Sequence, residues 1–277
     1  MNRKEFLALA GAVVLITSAG CGGGGESGGG GEAASPAAPR PAAKAPSAVP
    51  ATSPAAAAGG GAATGSAAVK GSIKFTGAAP KAAKIRMDAD PFCHKQHADG
   101  ATSEEVRVNA NGTLGNVFVY VKSGLEGKTY PVPAEPVVLD QRGCTYHPHV
   151  MGIMAGQTFK ILNSDDTLHN IHALPKANAQ FNLAMPKYIK EKDQKFDKPE
   201  VMVPVKCDVH SWMSSYVGVL THPFYSVSSS EGGFSLAKLP AGSYTIEAWH
   251  EKYGSQTQQV TVADGDTVEI TFTFQAS

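Results

Sequence analysis

The chain has 277 residues, and its 24 Lys and Arg side chains balance its 24 Asp and Glu side chains, so its formal net charge at pH 7 is 0. This balance suggests neither the basic surface by which proteins bind nucleic acid nor an acidic surface. Beyond residue 67, about 210 residues remain, which is enough for one large domain or two small ones.

Residues 1–20 have the pattern of an export signal: a positive start, the short apolar run Leu7–Ile16, and small residues that lead into Cys21. The run is too short for a membrane span, which needs about 20 apolar residues. The ending resembles the lipobox of bacterial lipoproteins, although Ser18 stands where that family usually has Leu. The resemblance implies an exported protein, in the periplasm or at the cell surface, with a lipid anchor at Cys21. Ordinary signal cleavage nearby, which would leave Cys21 as a free thiol, is the alternative.

Residues 21–67 consist almost entirely of Gly, Ala, Pro and Ser. Such a segment has too few large apolar side chains to offset the entropy that ordering would cost, so we predict a disordered linker. A domain on this flexible tether could search for partners at a membrane surface.

From Val69 onward, apolar and polar side chains alternate with the period of β-strands. The clearest alternating runs are Val69–Phe75, Val201–Val205 and Val268–Phe274. Turn signals such as Asn111-Gly112 and Asp264-Gly265 separate the runs. Many short strands with frequent turns are typical of antiparallel β-sandwiches. The sequence therefore predicts an all-β fold, in which only Lys187–Phe196 could form a helix.

Four potential metal ligands lie in the second half of the chain. Cys207, His210 and Met213 share one short segment, and His169 lies upstream of them. A thiolate, two imidazoles and a thioether form the ligand set of blue copper centres, in which His₂Cys binds in a plane and Met binds weakly on the axis. On this interpretation Cys207 ends one strand, and His210 and Met213 occupy a tight loop before the next strand. The pattern predicts one mononuclear copper site.

These residues resemble the cupredoxin family, and within it the amicyanin type, which has the same C-x2-H-x2-M loop and a His-Asn-x-His motif upstream. The resemblance implies four copper ligands: His169, Cys207, His210 and Met213. It also implies that Asn170 forms hydrogen bonds that tie the upstream ligand strand to the cysteine loop. The match is good over residues 155–220, and we place a cupredoxin-type Greek-key β-sandwich domain at residues 68–222.

Two of the four cysteines, Cys93 and Cys144, remain once Cys21 is assigned to the lipid and Cys207 to copper. In an oxidising compartment we expect these two to form a disulfide. Closing a loop of about fifty residues would contribute ~4 kcal/mol in the chain-entropy model. The alternative is a second metal site, built from the two cysteines and the neighbouring His94, His97, His147 and His149.

The sequence leaves open whether His149 or His172 contributes to the copper site. On a regular strand His172 would point away from His169, so a packed or hydrogen-bonded role is predicted for it. Trp212, inside the ligand loop, either forms part of an apolar rim where a redox partner docks or simply packs the loop. Asp165 and its neighbour are interpreted as turn residues.

Residues 223–277 contain a pattern, Phe234-x-Leu236 followed by Leu-Pro-x-Gly-x-Tyr, that resembles transthyretin-like and carboxypeptidase-regulatory-like β-sandwich domains. About 55 residues bury little core for a free-standing domain. The first strand, at residues 69–80, resembles the first strand of the same family. One hypothesis is therefore that residues 69–80 pair with the last strands, with the cupredoxin domain inserted between them. Pairing of Ile73 with the last strands is its test.

A single site without an open coordination position binds no substrate, so the predicted function is a one-electron carrier, not an enzyme. The resemblance implies a monomer whose partner is a periplasmic redox protein such as a c-type cytochrome, a dehydrogenase or an oxidase. It also implies that electrons pass through the exposed edge of His210. The alternative is a periplasmic copper carrier or sensor without electron-transfer duty.

Overall fold

The computed structural model describes residues 65–276. The predicted signal peptide at residues 1–20, the lipidated Cys21 and nearly all of the predicted linker lie outside the described residues. The linker ends slightly earlier than predicted, because Ala67 already begins the first strand. Within residues 65–276, no helix is long and apolar enough to cross a membrane.

The part of the chain that the structure describes is almost entirely β-structure, so the all-β prediction is confirmed. Lys187–Phe196, the one stretch with a possible helix, contains a strand instead. In chain order the elements are β1 (Ala67–Thr76), β2 (Lys84–Ile85), α1 (Pro91–Gln96), β3 (Ala101–Thr102), β4 (Phe118–Ser123), β5 (Val137–Arg142), β6 (Thr145–His147), β7 (Val150–Met154), β8 (Phe159–Asn163), β9 (His169–Ala173), β10 (Phe181–Met185), β11 (Glu191–Gln194), β12 (Glu200–Lys206), β13 (Ser214–Leu220), β14 (Tyr225–Val227), β15 (Gly233–Leu239), β16 (Gly242–His250), β17 (Gly254–Val262) and β18 (Thr267–Gln275).

The first sandwich consists of a five-stranded sheet, in the order β10-β9-β12-β13-β7, and a four-stranded sheet, in the order β11-β8-β5-β6. One hydrophobic cluster takes side chains from both sheets, among them Leu139, Ile161, Ile171 and Val217. Along β8 the buried and half-buried residues alternate, because successive side chains of a strand point to opposite faces. Each fully buried aliphatic side chain contributes about 1.5–3 kcal/mol. The two-sheet β-sandwich that the sequence predicted is therefore present.

The second sandwich joins the two ends of the described chain. Its sheets have the orders β15-β1-β18 and β14-β4-β16-β17. β1 runs parallel to β18 with Ile73 opposite Phe272, so the hypothesised pairing of the chain ends is observed. Its hydrophobic cluster combines residues between Ala67 and Leu125 with residues between Phe224 and Phe274. The domain boundary between residues 222 and 223 stays a prediction.

The two sandwiches meet through a third cluster, which includes Phe118, Val150 and Tyr225. Glycine allows the close approach at this contact. A Cβ added at Gly152 would lie 2.3 Å from a ring carbon of Tyr225, and one added at Gly218 would lie 2.4 Å from a ring carbon of Phe118. The aromatic rings of the second sandwich therefore rest directly on the backbone of the five-stranded sheet.

Residues 84–102 form a small cap, in which β2 pairs antiparallel with β3 and α1 lies between them. Asp90 begins the helix as its N-cap, and Pro91 follows at the first helical position. Both residue types are favoured there, because an acidic side chain accepts from free backbone N–H groups and proline has none to satisfy. The cap packs through Cys93 against Trp212 of the ligand loop.

His222 gives the second sandwich a predicted pH dependence. Its Nε2–H donates to the carbonyl of Val121 (2.9 Å), and its Nδ1 accepts from the backbone N–H of Phe224 (3.2 Å). This arrangement requires a neutral ring, and burial lowers the pKa of His222 to about 4. The unfolded chain binds a proton near pH 6.5, so the stabilisation is present above that pH and is lost as the pH falls toward 4.

We expect the free energy of unfolding to fall by up to about 3 kcal/mol through this group, at about 1.4 kcal/mol for each pKa unit. Denaturant titrations between pH 7 and about 4 should show a shallower pH dependence for His222→Gln than for the wild type. His94→Gln, which removes an exposed imidazole, is the control and should keep the wild-type slope. An equal slope in His222→Gln and the wild type would contradict this account.

Candidate metal centre

The fold places the predicted ligand segments at one end of the five-stranded sheet. β9 begins at His169, and β12 ends one residue before Cys207. These strands pair antiparallel, with Lys206 opposite His172. The segment that follows β12 therefore runs back along the start of β9 toward His169. Met213 is the last residue before β13, so the ligand loop lies between two paired strands, as predicted.

Three of the four predicted ligands converge on one point. The Nδ1 atoms of His169 and His210 lie 2.9 Å apart, and the Sγ of Cys207 lies 4.0 Å from the Nδ1 of His210. The potential ligand atoms of all three residues lie within 4.8 Å of one another. The residues are 0%, 2% and 3% exposed for His169, Cys207 and His210. The arrangement is therefore a buried set of two imidazoles and one thiol.

Met213 is buried in the same hydrophobic cluster as Cys207. Its carbonyl accepts from the backbone N–H of Cys207 (3.2 Å), and its own N–H donates to the carbonyl of His210 (3.0 Å). These two bonds close the ligand loop into a tight turn. Copper ligation by Met213 and by the other three residues stays a prediction.

Asn170 fixes the ligand loop against β9. Its side-chain oxygen lies 3.2 Å from the Cys207 sulfur and accepts from the backbone N–H groups of Asp208 (2.7 Å) and Val209 (3.3 Å). The N–H of His210 in turn points to the Cys207 sulfur at 3.3 Å. Asn170 thus ties the upstream strand to the cysteine loop, as the resemblance implied.

The surroundings of Cys207 favour its thiolate form. Burial alone would raise the pKa of this thiol, but hydrogen bonds from His169, His210 and nearby backbone N–H groups lower it to about 6. The thiolate is the form of cysteine that binds metals and reacts as a nucleophile. At neutral pH the side chain is therefore already prepared to bind a soft metal ion.

Each of the two histidines faces a carboxylate with its other ring nitrogen. The Nε2 of His169 lies 2.9 Å from Oδ2 of Asp165, and the Nε2 of His210 lies 3.0 Å from Oδ2 of Asp90. Sequence reasoning assigned Asp165 only to a turn and did not single out Asp90. Asp90 lies 120 positions before His210, and only its place before Pro91, as a helix cap, could have drawn attention to it.

The disulfide between Cys93 and Cys144 is present, with an S–S distance of 2.04 Å, so this prediction is confirmed. Because both sulfur atoms are bonded to each other, the alternative second metal site built on these cysteines is wrong. The disulfide instead lies beside the histidine cluster, with the Sγ of Cys93 3.7 Å from the Nε2 of His210.

His210 is covered, and the expectation of an exposed His210 edge is wrong. The cap brings Asp90 and the disulfide onto the outer side of the ring. Trp212 packs on the same ring at a centroid distance of 4.9 Å and donates its indole N–H to the carbonyl of Cys144 (2.9 Å). Trp212 therefore packs the loop and connects it to the disulfide.

His149 and His172 do not belong to the cluster. His149 donates from Nδ1 to the carbonyl of Ser214 (3.0 Å), and its Nε2 pairs with Glu251. His172 pairs through Nδ1 with Asp208 (2.8 Å), and its Nε2 lies 2.6 Å from the side-chain nitrogen of Gln180. Both rings are engaged on both sides, which agrees with the hydrogen-bonded role predicted for His172.

Comparisons with known proteins give matches for both resemblances. The family model of the carboxypeptidase regulatory-like domain matches residues 219–275. No curated protein matches the chain. Among solved structures, the chain is similar to an oxidised mutant of amicyanin, with 19% identity over 36% of this chain and 97% of amicyanin at a TM-score of 0.28. It is similar to the purple cupredoxin of Nitrosopumilus maritimus, with 19% identity over 30% and 98% of the two chains at a TM-score of 0.26. It is also similar to the copper-containing nitrite reductase of Thermus scotoductus SA-01, with 18% identity over 35% of this chain but only 25% of the reductase, at a TM-score of 0.27.

The titration of Cys207 in the metal-free protein checks the geometry of this cluster. We expect the ultraviolet absorbance of the thiolate to appear with a midpoint near pH 6, because the histidine hydrogen bonds favour the charged form. The measurement is a pH titration of absorbance, with Cys207→Ser as the reference that subtracts any signal from Cys21. A midpoint at or above the ordinary thiol pKa of about 8.5 would show that the histidines do not contact the sulfur as described.

Proposed function

We propose that this protein is an exported type 1 (blue) copper protein that acts as a one-electron carrier, with His169, Cys207 and His210 as strong ligands and Met213 as a weak axial ligand. The observation that supports this most directly is the convergence of two Nδ1 atoms, 2.9 Å apart, beside a buried thiol of lowered pKa. The proposal includes a lipid anchor at Cys21, which would hold the protein at a membrane.

The donor set fits copper. Thiolate and thioether ligands favour Cu(I), and imidazole suits both oxidation states. A bound copper ion would supply the exchange of one electron between Cu(II) and Cu(I). The chain's own contribution is to hold the donors still. The two rings are fixed from outside by carboxylates, and Asn170 holds the cysteine loop, so little movement is needed when the charge changes.

We propose no enzymatic activity, because the donors of His169, Cys207, His210 and Met213 would together leave a bound copper ion no position for a substrate. Electrons would instead pass to a periplasmic redox protein such as a c-type cytochrome, a dehydrogenase or an oxidase, which would meet the protein as a monomer. Leu168 and Val209 each directly precede a ligand histidine, and they are exposed apolar side chains, at 43% and 47%. A partner that docks on them would come within one residue of the site without contacting the covered ring of His210.

Burial of the ligands also argues for an electron carrier over a copper carrier or sensor. A protein that delivers copper must release it, which is easiest when ligands are accessible. Here the three strong candidate ligands are nearly inaccessible and lie beneath a disulfide-linked cap. Slow loss of copper to a strong chelator would agree with the electron carrier, and rapid exchange would favour the copper carrier.

The visible spectrum tests the proposal. After addition of Cu(II) to the purified chain, we expect an intense thiolate-to-copper absorption band, because Cys207 would bind the ion as a thiolate. The band should be absent in Cys207→Ser and should persist in His172→Asn, a matched change of a histidine outside the cluster. A wild-type protein that stays colourless would contradict the proposed function.

Met213 is tested separately. Its replacement in Met213→Leu should keep the colour and raise the reduction potential, because a weak axial ligand tunes the potential without holding the ion. The measurement is a redox titration followed by visible absorption, compared with the wild type. Complete loss of copper would instead show that Met213 is needed for binding, and an unchanged potential would show that it is not a ligand.

A further inference from the structure

We propose that Asp90 and Asp165 are positioning residues of the copper site, which hold the two ligand imidazoles by their outer nitrogens and lower the reduction potential. This inference rests on the proposed function, since it assigns residues outside the ligand set to the same site. Neither residue belongs to the ligand motifs from which the copper site was predicted. Both act through a histidine and neither contacts the position where copper would bind.

Asp165 is the more deeply buried of the two, and backbone groups fix it in place. Its Oδ1 accepts from the N–H of Gly143 (2.8 Å), and its Oδ2 accepts from the N–H of Cys144 (2.8 Å) and from Nε2 of His169 (2.9 Å). The carboxylate thus connects the disulfide residue Cys144 with the first ligand of the site.

Asp90 makes an equivalent set of contacts from the cap. Its Oδ1 accepts from the backbone N–H groups of Phe92 (2.8 Å) and Cys93 (3.1 Å). Its Oδ2 accepts from the Thr167 hydroxyl (3.1 Å) and from Nε2 of His210 (3.0 Å). The Oδ1 atom therefore caps the helix, and the Oδ2 atom holds the ring of His210.

The chemistry of metal-bound histidine gives these contacts a function. When one ring nitrogen binds a metal, the other carries a proton, and a carboxylate that accepts this proton fixes the ring and makes it a stronger donor. An imidazole nitrogen that a nearby carboxylate has made a stronger donor stabilises Cu(II) more than Cu(I), and this lowers the reduction potential. In this protein both ligand imidazoles, and not only one of them, have such an acceptor.

Asparagine cannot replace either aspartate in this role. Each carboxylate uses both of its oxygens as acceptors, whereas an asparagine side chain has one oxygen acceptor and one NH₂ donor. In Asp90→Asn the remaining oxygen can cap the helix or accept from His210, but not both. The substitution keeps the shape and the helix cap, since asparagine is a favoured N-cap residue, and removes the negative charge beside the ring.

The test uses Asp90→Asn and Asp165→Asn, each with a neighbouring aspartate as the matched control. Asp88→Asn and Asp166→Asn change exposed carboxylates two residues and one residue away, which pair with Arg86 and Lys190. We expect each of the first two variants to bind Cu(II) about 10–100-fold more weakly than the wild type. Both should stay blue with a raised reduction potential, whereas both controls should match the wild type in affinity and potential.

Nitrogen NMR of the imidazole rings in the metal-free protein gives a readout that does not depend on copper. Loss of the carboxylate contact should shift the Nε2 resonance of His210 in Asp90→Asn and of His169 in Asp165→Asn. Asp90→Ser, which keeps a cap but cannot reach the ring, should behave like Asp90→Asn. If thermal melting shows that Asp90→Asn does not fold, Asp90→Ser takes its place in the comparison.

The outcomes separate this inference from the proposed function. A colourless wild type contradicts the proposed function, whatever the variants do. A blue wild type whose aspartate variants keep its affinity and potential overturns the inference and leaves the proposed function intact. A drop in melting temperature alone, with the potential unchanged, would assign the two aspartates to structure only and would likewise overturn it.

Discussion

The rest of the structure depends on keeping the polar cluster of Cys207, His169 and His210 buried and hydrogen-bonded at the end of an apolar sandwich. Polar groups taken out of water are costly unless each finds a partner, and the low dielectric strengthens the bonds that are made. Every ring nitrogen of the two histidines has a partner within 3.0 Å. The Cys207 sulfur has Asn170 at 3.2 Å and the N–H of His210 at 3.3 Å. Satisfying these few groups fixes the side-chain geometry of the site before any metal binds.

The partners come from parts of the chain that are far apart in sequence, so the site adds hydrogen bonds to the hydrophobic contacts that already join these elements. Asp90 belongs to the cap, Asp165 lies in the loop before β9, and the disulfide joins the cap to the loop after β5. Trp212 then bonds to the backbone of Cys144. The cap is therefore part of the wall of the site, and it buries His210 although it lies about 120 residues before that histidine in the chain.

The convergence of His169, Cys207 and His210, the disulfide and the β-character could be predicted from the sequence because each has a local or chemical signature. His169 and Cys207 stand in short motifs, Cys93 and Cys144 are the pair left over in an exported chain, and strands show a period of two. The carboxylates and the covering of His210 have no such signature. These contacts form where the cap packs against the ligand loop and the loop before β9. They depend on tertiary packing between residues as far as 120 positions apart in sequence. Asp165 was interpreted as a turn residue because its local pattern is that of a turn, and its contact with His169 adds a role that the pattern does not show.

The second sandwich also contacts the segments beside the ligand loop. Its Glu251 pairs with His149, which directly precedes β7 of the first sandwich. Burial alone would lower the pKa of this histidine, but its hydrogen bond and charge interaction with Glu251, in the second sandwich, raise it. The other ring nitrogen donates to the carbonyl of Ser214, the residue that follows Met213. Glu251 is held by the turn between β16 and β17, inside the segment that matches the carboxypeptidase regulatory-like domain. That segment therefore supports the start of β13 from outside, next to Met213, the residue proposed as the weak copper ligand.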